Sequence, residues 1–293
     1  LFIVLPGDPA QMMLDQNEDS QQLEVIKAKF GFNLPLTTQY LNYLNDLLPL
    51  SIHSKNPKDF GFYTETVYGG FVLFETQQKV LVLKAPYFRT SYQKRGKPIA
   101  EIIKETLPNT ILLAISSMFI AIVMGIGLGI VATLNKDRWI DRFLQLFSTL
   151  GMSVPSFFSA ILFSWFFGYI LYDFTGLNMT GSLYELDDMG ERLQLQWKNI
   201  ILPSVVLGIR PLAVIIQLLR SNLLEVLSED YIRTAYAKGL SRNQVVFKHA
   251  LKNSLNPVIT AISGWFASLL AGSIFVEYIF GWKGLGKEIV EAL

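Results

Sequence analysis

Four long apolar runs dominate the chain after residue 107. Each run contains at least roughly 20 residues, the length that a helix needs to cross a lipid bilayer. This pattern predicts an all-α, polytopic bundle of transmembrane helices. The runs cover residues 108–134, 143–171, 200–219 and 257–280.

Charged residues between the apolar runs predict which side of the membrane each loop faces. Segments 135–142 and 220–256 are rich in lysine and arginine, which is typical of cytoplasmic loops. Segment 172–198 is acidic instead, so we expect it on the outer side. Its acidic residues are Asp173, Glu185, Asp187, Asp188 and Glu191.

Before the first apolar run, the pattern predicts short elements. Residues 21–30 and 35–48 have the spacing of amphipathic helices, and Pro35 suits a helix start. We assign residues 10–107 to an extracytoplasmic region and residues 108–293 to a transmembrane domain.

Composition supports a membrane protein and excludes other classes. Apolar residues make up 51% of the chain and charged residues only 17%, a balance that is unusual for a soluble domain. The net charge of +1 gives no reason to expect nucleic acid as a partner. The absence of cysteine removes disulfides and thiol chemistry. His53 and His249 are far apart in sequence, which disfavours a zinc site.

A polar, basic segment with the pattern of two short helices lies between the last two apolar runs. Ser228 is placed to cap a helix that starts at Glu229. Lys238 falls in the last turn of that helix, and Gly239 can adopt the left-handed conformation that ends it.

The second helix of this segment has its own signals. Ser241 is placed to cap it, and the helical pattern continues through Lys252. Asn256 followed by Pro257 then has the pattern of an N-cap and a first helical residue, so a new helix begins there.

This segment resembles the EAA loop of ATP-binding-cassette (ABC) importer permeases, in the form found in the dipeptide, oligopeptide and nickel group. The matching residues are Tyr-Ile-Arg-Thr-Ala at 231–235, Ala-Lys-Gly-Leu at 237–240 and His-Ala-Leu-Lys-Asn-Ser-Leu-Asn-Pro at 249–257. The resemblance implies a type I importer fold whose first loop helix seats in a groove of a cytoplasmic ATPase subunit. An ordinary amphipathic loop on the membrane surface is the alternative.

The resemblance also implies roles for residues of the first helix. Tyr231, Ala235 and Ala237 are expected to contact the groove, and Arg233 and Lys238 to add charge pairing. The predicted coupling residues are Tyr231, Arg233, Thr234, Ala235, Ala237, Lys238 and Gly239.

Both ends of the chain resemble interior segments of this family. Residues 6–9, Pro-Gly-Asp-Pro, resemble the close of its first transmembrane helix, so residues 1–9 are expected to be the end of a truncated helix. Residues 275–293 resemble the stretch that leads to a sixth span. Lys283 stands where the family usually has proline.

Residues 51–86 depart from the compact form of the family and are interpreted as an insertion. Two β-prone segments within it, 71–74 and 80–83, are joined by residues 75–78 and predict a hairpin. Contact with a substrate-binding protein and simple structural cover are the two interpretations.

Small residues within the apolar runs suggest close helix packing. Gly125, Gly127 and Gly129 are expected to let another helix backbone approach closely, and Gly125 and Gly129 have the small-xxx-small spacing. A stripe of small residues on the last run favours packing, with pore lining as the alternative. The stripe consists of Ala261, Gly264, Ser268 and Gly272.

Charged and helix-breaking residues mark a predicted translocation pathway. Arg210 lies near the middle of its run, where a charge must face protein or water. It is expected either to face a hydrated route or to form a buried structural ion pair. Pro155 should kink its helix, and Glu277 lies where snorkelling could satisfy it. The predicted pathway residues are Ser153, Pro155, Arg210, Ser268 and Glu277.

The sequence lacks the Gly-x-x-x-x-Gly-Lys-[Ser/Thr] phosphate-binding loop. We therefore expect a permease rather than an enzyme, with no cofactor of its own and with ATP-Mg bound by partner subunits. The resemblance implies a bacterial inner-membrane importer for di- or oligopeptides. Its implied partners are two ATP-binding subunits, a second homologous permease, an extracytoplasmic substrate-binding protein and membrane lipid.

Other functions remain as alternatives to peptide import. A permease for nickel or another small solute would share the same motifs. A secondary transporter needs intramembrane carboxylates to bind an ion, and the full runs contain few. A membrane-embedded enzyme needs a converging acid/base or metal set, which the sequence does not suggest.

Overall fold

The computed structural model describes residues 20–57, 59–94, 96–187 and 190–292. The chain divides into two compact units, Leu1–Glu105 and Thr106–Leu293. The predicted helix end at residues 1–9 lies outside the described residues, as does Asp188.

The first unit begins with two helices at the positions that the sequence predicts. Helix α1 covers Ser20–Phe30 and helix α2 covers Leu36–Leu47, with Pro35 as the residue before its first turn. Gln39 holds the connection between them, because its side-chain nitrogen donates to the carbonyl oxygens of Phe32 (3.2 Å) and Leu34 (2.7 Å).

A small antiparallel sheet follows in the order β1-β3-β2. The predicted hairpin strands are β2 (Phe71–Glu75) and β3 (Lys79–Leu83). Strand β1 (Leu50–Ser54) pairs with β3 and was not predicted. The short helix α3 (Glu65–Tyr68) lies between β1 and β2.

One face of this sheet is buried and carries polar groups. Ser51 and His53 of β1 are buried, and the Ser51 hydroxyl lies 2.9 Å from Nε2 of His53. Burial is the main cause that lowers the pKa of His53 from its ordinary value, and it raises the pKa of nearby Tyr68. His53 is therefore favoured in its neutral form.

The second unit is built on two long helices. Helix α4 covers Ile99–Leu134 and helix α8 covers Ile201–Val226, preceded by one 3₁₀ turn at Trp197–Ile200. In the described residues, two helices are long and apolar enough to cross a membrane by themselves, or up to four spans if each bent helix pair counts as one.

The predicted single span at residues 143–171 is two helices. Helix α5 (Trp139–Ser153) and the helical segment Ser156–Ile170 meet at an angle of 110°. Proline disfavours helical geometry in the residue before it, and Val154 is extended (φ −75, ψ 129). Pro155 therefore ends the helix instead of kinking it. The second segment consists of α6 (Ser156–Trp165) and a π-helical turn, Phe166–Ile170.

The acidic segment between the middle runs contains structure that was not predicted. Helix α7 (Tyr172–Thr175) is followed by a hairpin of β4 (Tyr184–Leu186) and β5 (Leu193–Leu195). A β-carbon at Gly168 would lie 2.7 Å from the backbone of Met179, so only glycine permits this close approach. The fold is thus not all-α throughout.

Short helices follow α8 along the chain. They are α9 (Asp230–Ala237), α10 (Arg242–Gln244), a π-helical stretch (Val245–Ala250) and α11 (Leu251–Ser254). The last predicted span at 257–280 is likewise two helices. Helix α12 (Asn256–Gly272) ends before Ser273, and α13 (Ile274–Phe280) and α14 (Leu285–Glu291) complete the unit.

Two of the three glycines that were predicted to allow close packing bring α4 close to α8, and the third, Gly127, does not. A β-carbon at Gly125 would lie 2.7 Å from Ile215, and one at Gly129 would lie 3.1 Å from Leu219. Gly127 has no neighbour within 4 Å of that position. Gly125 and Gly129 therefore set the separation of the two helices.

Candidate coupling surface and translocation site

Helix α9 is amphipathic, and its apolar side packs against its own chain. Ile232 and Ala235 are buried in a core that also contains Leu223 and Val246. The helix is thus fixed to the end of α8 and to the helices that follow it.

Ala235, which is predicted to contact an ATPase groove, points into the core of its own chain, so this contact stays a prediction. Only 6% of this residue is exposed, because it points toward the core. A small apolar side chain suits either a core or an interface, so its type alone did not decide between them.

The other predicted coupling residues lie on the opposite, exposed face of α9 or at its end. Sequence reasoning missed Tyr236, which is 44% exposed and lies beside them. Tyr236 lies four residues after buried Ile232, a spacing that places both on similar sides of the helix, so the helical pattern contained no signal for its exposure. The exposed residues are Tyr231, Arg233, Thr234, Tyr236, Ala237, Lys238 and Gly239.

The two ends of α9 were predicted with different success. Gly239 adopts the left-handed conformation (φ +80) that was expected. The prediction that Ser228 caps α9 is wrong, because the Ser228 hydroxyl donates back to the Glu225 carbonyl oxygen at 2.6 Å. Ser241 does cap the next helix, where its side chain and that of Gln244 form a reciprocal capping box.

One hydrogen bond joins two parts of this loop, and a second connects the loop to α4. Asn253 Nδ2 donates to the Tyr231 hydroxyl at 2.9 Å. Arg242 Nη2 donates to the Leu134 carbonyl oxygen at the end of α4, at 3.0 Å and across 108 positions of sequence. The loop is therefore attached to the helical unit beyond its own flanking helices.

A cavity of about 50 Å³ lies beside the break between α5 and α6. Arg210 and Ser268, both predicted pathway residues, line it. Ser153 and Pro155 flank it along the chain. Its other polar or small lining residues include Gly151, Ser156 and Ser159.

Arg210 is exposed, and its Nη2 lies 3.4 Å from the Met152 carbonyl oxygen. Among the described residues, no carboxylate lies within ion-pair distance of it. Within the described part of this chain Arg210 therefore forms no ion pair, and the ion-pair alternative stays a prediction. A role facing a hydrated route stays a prediction.

The small-residue stripe on α12 does not pack as expected within this chain. A β-carbon at Gly264 would meet no atom within 4 Å, and Ser268 is exposed. The side of α12 that carries them is open in the described structure. The surroundings of Gly272 lie outside the description.

Glu277 is placed differently from the other predicted pathway residues. Its side chain is fully buried, and Oε2 accepts from the backbone amides of Gly286 (2.6 Å) and Lys287 (3.2 Å). Ser273 Oγ donates to Oε1 at 2.9 Å. The expectation of snorkelling is wrong, because the carboxylate binds the first turn of α14.

Comparison with known sequences identifies the family of this chain. Residues 125–293 match the family described as "Binding-protein-dependent transport system inner membrane component". The chain belongs to this family. Residues 1–56 match the family's N-terminal membrane component. As an inner membrane permease component, the chain is a transport subunit rather than an enzyme.

Curated permeases align with nearly the whole chain. A dipeptide transport system permease protein of Alkalihalophilus pseudofirmus is 32% identical over 99% of this chain and 80% of its own length. An oligopeptide transport system permease protein of Bacillus subtilis gives the same values. A glutathione transport system permease protein of Salmonella typhimurium is 32% identical over 100% of this chain and 79% of its own.

Sequence reasoning missed two largely buried ion pairs of this permease, Arg89–Asp46 in the first unit and Arg220–Asp141 in the second. Asp141 of α5 binds Arg220 of α8, and 79 positions of sequence separate them. The only available signal for this second pair was two opposite charges near the ends of two apolar runs.

The described residues of the permease contain no group of three or more His, Cys, Asp or Glu side chains that could hold a metal ion. His53 lies in β1 and His249 in the π-helical stretch.

Proposed function

We propose that this chain is the membrane-spanning permease subunit of an ABC importer for di- or oligopeptides, coupled to a separate ATPase through α9. Family membership and the names of the aligned permeases support this proposal. One observation carries the coupling role. Helix α9 buries Ile232 and Ala235 in its own unit and leaves its other face exposed.

This arrangement suits a rigid lever. The two buried side chains fix α9 to α8, and Gly239 with the Ser241 capping box gives a defined turn at its far end. A push on the exposed face therefore moves the attached helices instead of bending the loop. Such rigid-body movement between two states would exchange outward for inward access.

The proposed assembly contains two ATP-binding subunits, a second homologous permease and an extracytoplasmic substrate-binding protein. ATP-Mg binds to the ATP-binding subunits. In this topology, residues 220–256 face the cytoplasm, residues 10–107 lie on the outer side, and lipid surrounds residues 108–293 outside the loops.

The cavity beside Arg210 is the proposed part of the cargo route. Its arginine, three serines and open side on α12 offer hydrogen bonds and a positive charge. A peptide carries a carboxylate at its C-terminus, which an exposed guanidinium can bind without a protein counter-ion. Replacement of Arg210 by Met is expected to abolish peptide uptake while the complex still assembles.

Reconstitution of the complex in proteoliposomes tests the proposal. The probes are a labelled dipeptide, a labelled pentapeptide and glutathione, with ATP-Mg on the side of α9. We expect ATP-dependent uptake of at least one probe. Peptide uptake without ATP, or no co-purification with an ATPase, would overturn the assignment.

A matched pair of alanines isolates the role of α9. Ala237→Glu changes the exposed face and is expected to weaken ATPase binding with no loss of thermal stability. Ala235→Glu places a charge in the core and is expected to destabilise the permease itself. Equal ATPase binding by Ala237→Glu and wild type would argue against this surface.

A further inference from the structure

A buried ion pair joins the start of α5 to α8. The Asp141 side chain is fully buried, and that of Arg220 is 19% exposed. Arg220 Nε donates to Oδ1 at 2.5 Å, and Nη2 donates to Oδ2 at 2.7 Å. Two parallel bonds fix the orientation of the helices as well as their separation.

The same carboxylate also holds the turn between α4 and α5. Oδ2 accepts from the backbone amide of Asp137 at 2.9 Å, and Oδ1 accepts from Gln145 Nε2 at 3.0 Å. Asp137 has a φ of +62°, a conformation that few residues other than glycine adopt. Asp141 thus stabilises a turn whose geometry is otherwise unfavourable.

The loop that follows α8 also binds the turn between α4 and α5. Arg242, the first residue of α10, donates to the carbonyl oxygen of Leu134 immediately before the turn. The turn between α4 and α5 is therefore held on one side by α8 and on the other by the helix that follows α9.

The far end of α5 reaches the cavity. Gly151 and Val154 line it, and the Met152 carbonyl oxygen is the acceptor for Arg210. Helix α5 is 15 residues long and packs along α8. It therefore extends from the ion pair at one end to the predicted cargo route at the other.

We propose that Asp141 and Arg220 are positioning residues that transmit the movement of α9 through α5 to the cavity. This inference rests on the proposed function and deepens it. Helix α8 leads into α9 through residues 227–229, so displacement of α9 reaches Arg220 along the helix. The bidentate pair prevents α8 from sliding past α5, and α5 then moves the break at Val154.

The test removes the pair without leaving a buried charge. In the double variant Asp141→Leu with Arg220→Met, apolar side chains of similar size replace both charges, a change that often leaves stability the same or higher. Lys287→Met with Glu291→Leu replaces a cation and a carboxylate in the same way at a partly exposed pair in α14, whose side chains are 26% and 43% exposed, and is the matched control. Both variants are compared with wild type in the complete complex.

Spin labels measure whether α5 and α8 move together. The chain contains no cysteine, so Leu150→Cys on α5 and Glu225→Cys on α8 give one defined pair. Distances are recorded in nanodiscs with and without ATP-Mg. In wild type and control, we expect the same distance distribution in both nucleotide states. In the double variant, we expect the distribution to shift between the states.

The second measurement is the number of ATP molecules hydrolysed per dipeptide imported. An ion pair with only a structural role would not change this ratio. We expect the ATP hydrolysed per labelled dipeptide imported to rise about tenfold in the double variant, within the usual range of coupling between sites. Arg220→Lys retains the charge but not the parallel bonds and is expected to give a smaller rise.

The outcomes separate this inference from the proposed function. If the double variant keeps an unchanged distance and a normal ATP-to-dipeptide ratio, the transmission role is overturned while the permease assignment stands. If the double variant does not assemble, a normal ratio and unchanged distance in Arg220→Lys overturn the role equally. If the wild-type complex shows no ATP-dependent import, the proposed function itself fails.

Discussion

Two carboxylates of the second unit, Asp141 and Glu277, are both fully buried but are compensated in different ways. Asp141 binds a guanidinium on another long helix, whereas Glu277 binds backbone amides of the short helix that follows its own. The first arrangement holds two separate helices in register, and the second closes a local turn. The chemical type of the partner thus separates a long-range connection from a local cap.

Among the substitutions that test this comparison, Asp141→Leu alone is expected to cause the largest loss of stability. It leaves Arg220 largely buried without its counter-ion, and breaking such a pair from one side destabilises proteins by about 3–5 kcal/mol. Thermal unfolding of the purified permease in detergent would show the loss. The double variant with Arg220→Met should recover most of it, and failure to recover would contradict an ion-pair origin.

Glu277→Gln is expected to have a smaller effect. The amide oxygen can still accept from the Gly286 and Lys287 amides, so the change removes the contribution of the charge, about 1–2 kcal/mol. The same unfolding measurement checks this. A loss as large as that of Asp141→Leu would mean that the two carboxylates are not compensated differently.

His53 adds to the two carboxylates a buried ionisable group that is favoured in its neutral form. Its lowered pKa means that the unfolded chain binds the proton more readily than the folded unit does below pH 6.5. Stability contributed by neutral His53 is therefore present above pH 6.5 and lost as the pH falls below it. Chemical unfolding of wild type and His53→Gln between pH 5 and 8, about the span in which histidine titrates, should show a weaker pH dependence in the variant.

Arg233→Ala is expected to have the smallest effect on stability. The Arg233 side chain is 76% exposed and its partner Asp230 is 95% exposed, and such pairs contribute little. The unfolding midpoint should stay unchanged, in contrast to the buried pair. Affinity for the ATPase should fall, because Arg233 lies on the exposed face of α9; a shifted midpoint with normal affinity would contradict both statements.

Local chemistry made part of this structure predictable. Gly239 and Ser241 act through their own backbone and nearest neighbours, so their roles were evident from residue type and spacing. The apolar runs located the long helices α4 and α8, because a long apolar run is likewise a local property of the sequence. The order of residues in 231–257 pointed to the family without any knowledge of contacts.

Other features depend on partners that are distant in sequence. Pro155 predicts a disruption, but packing decided that it is a break of 110°. Ala235 fits a core or an interface equally well by type. Asp141 acquires its role only from Arg220, and β1 becomes a strand only because β3 lies beside it. Sequence patterns do not encode such pairings directly.

The close approach at Gly168 has a practical consequence for labelling. Met179 lies directly on this glycine, and its carbonyl oxygen accepts from Ser164 Oγ at 2.7 Å, so an inserted tag at Met179 would force the α6 segment apart. By contrast, a β-carbon at Gly190, in the turn that follows β4, would meet no atom within 4 Å. An epitope placed at that turn is the suitable reporter of which side of the bilayer this hairpin occupies.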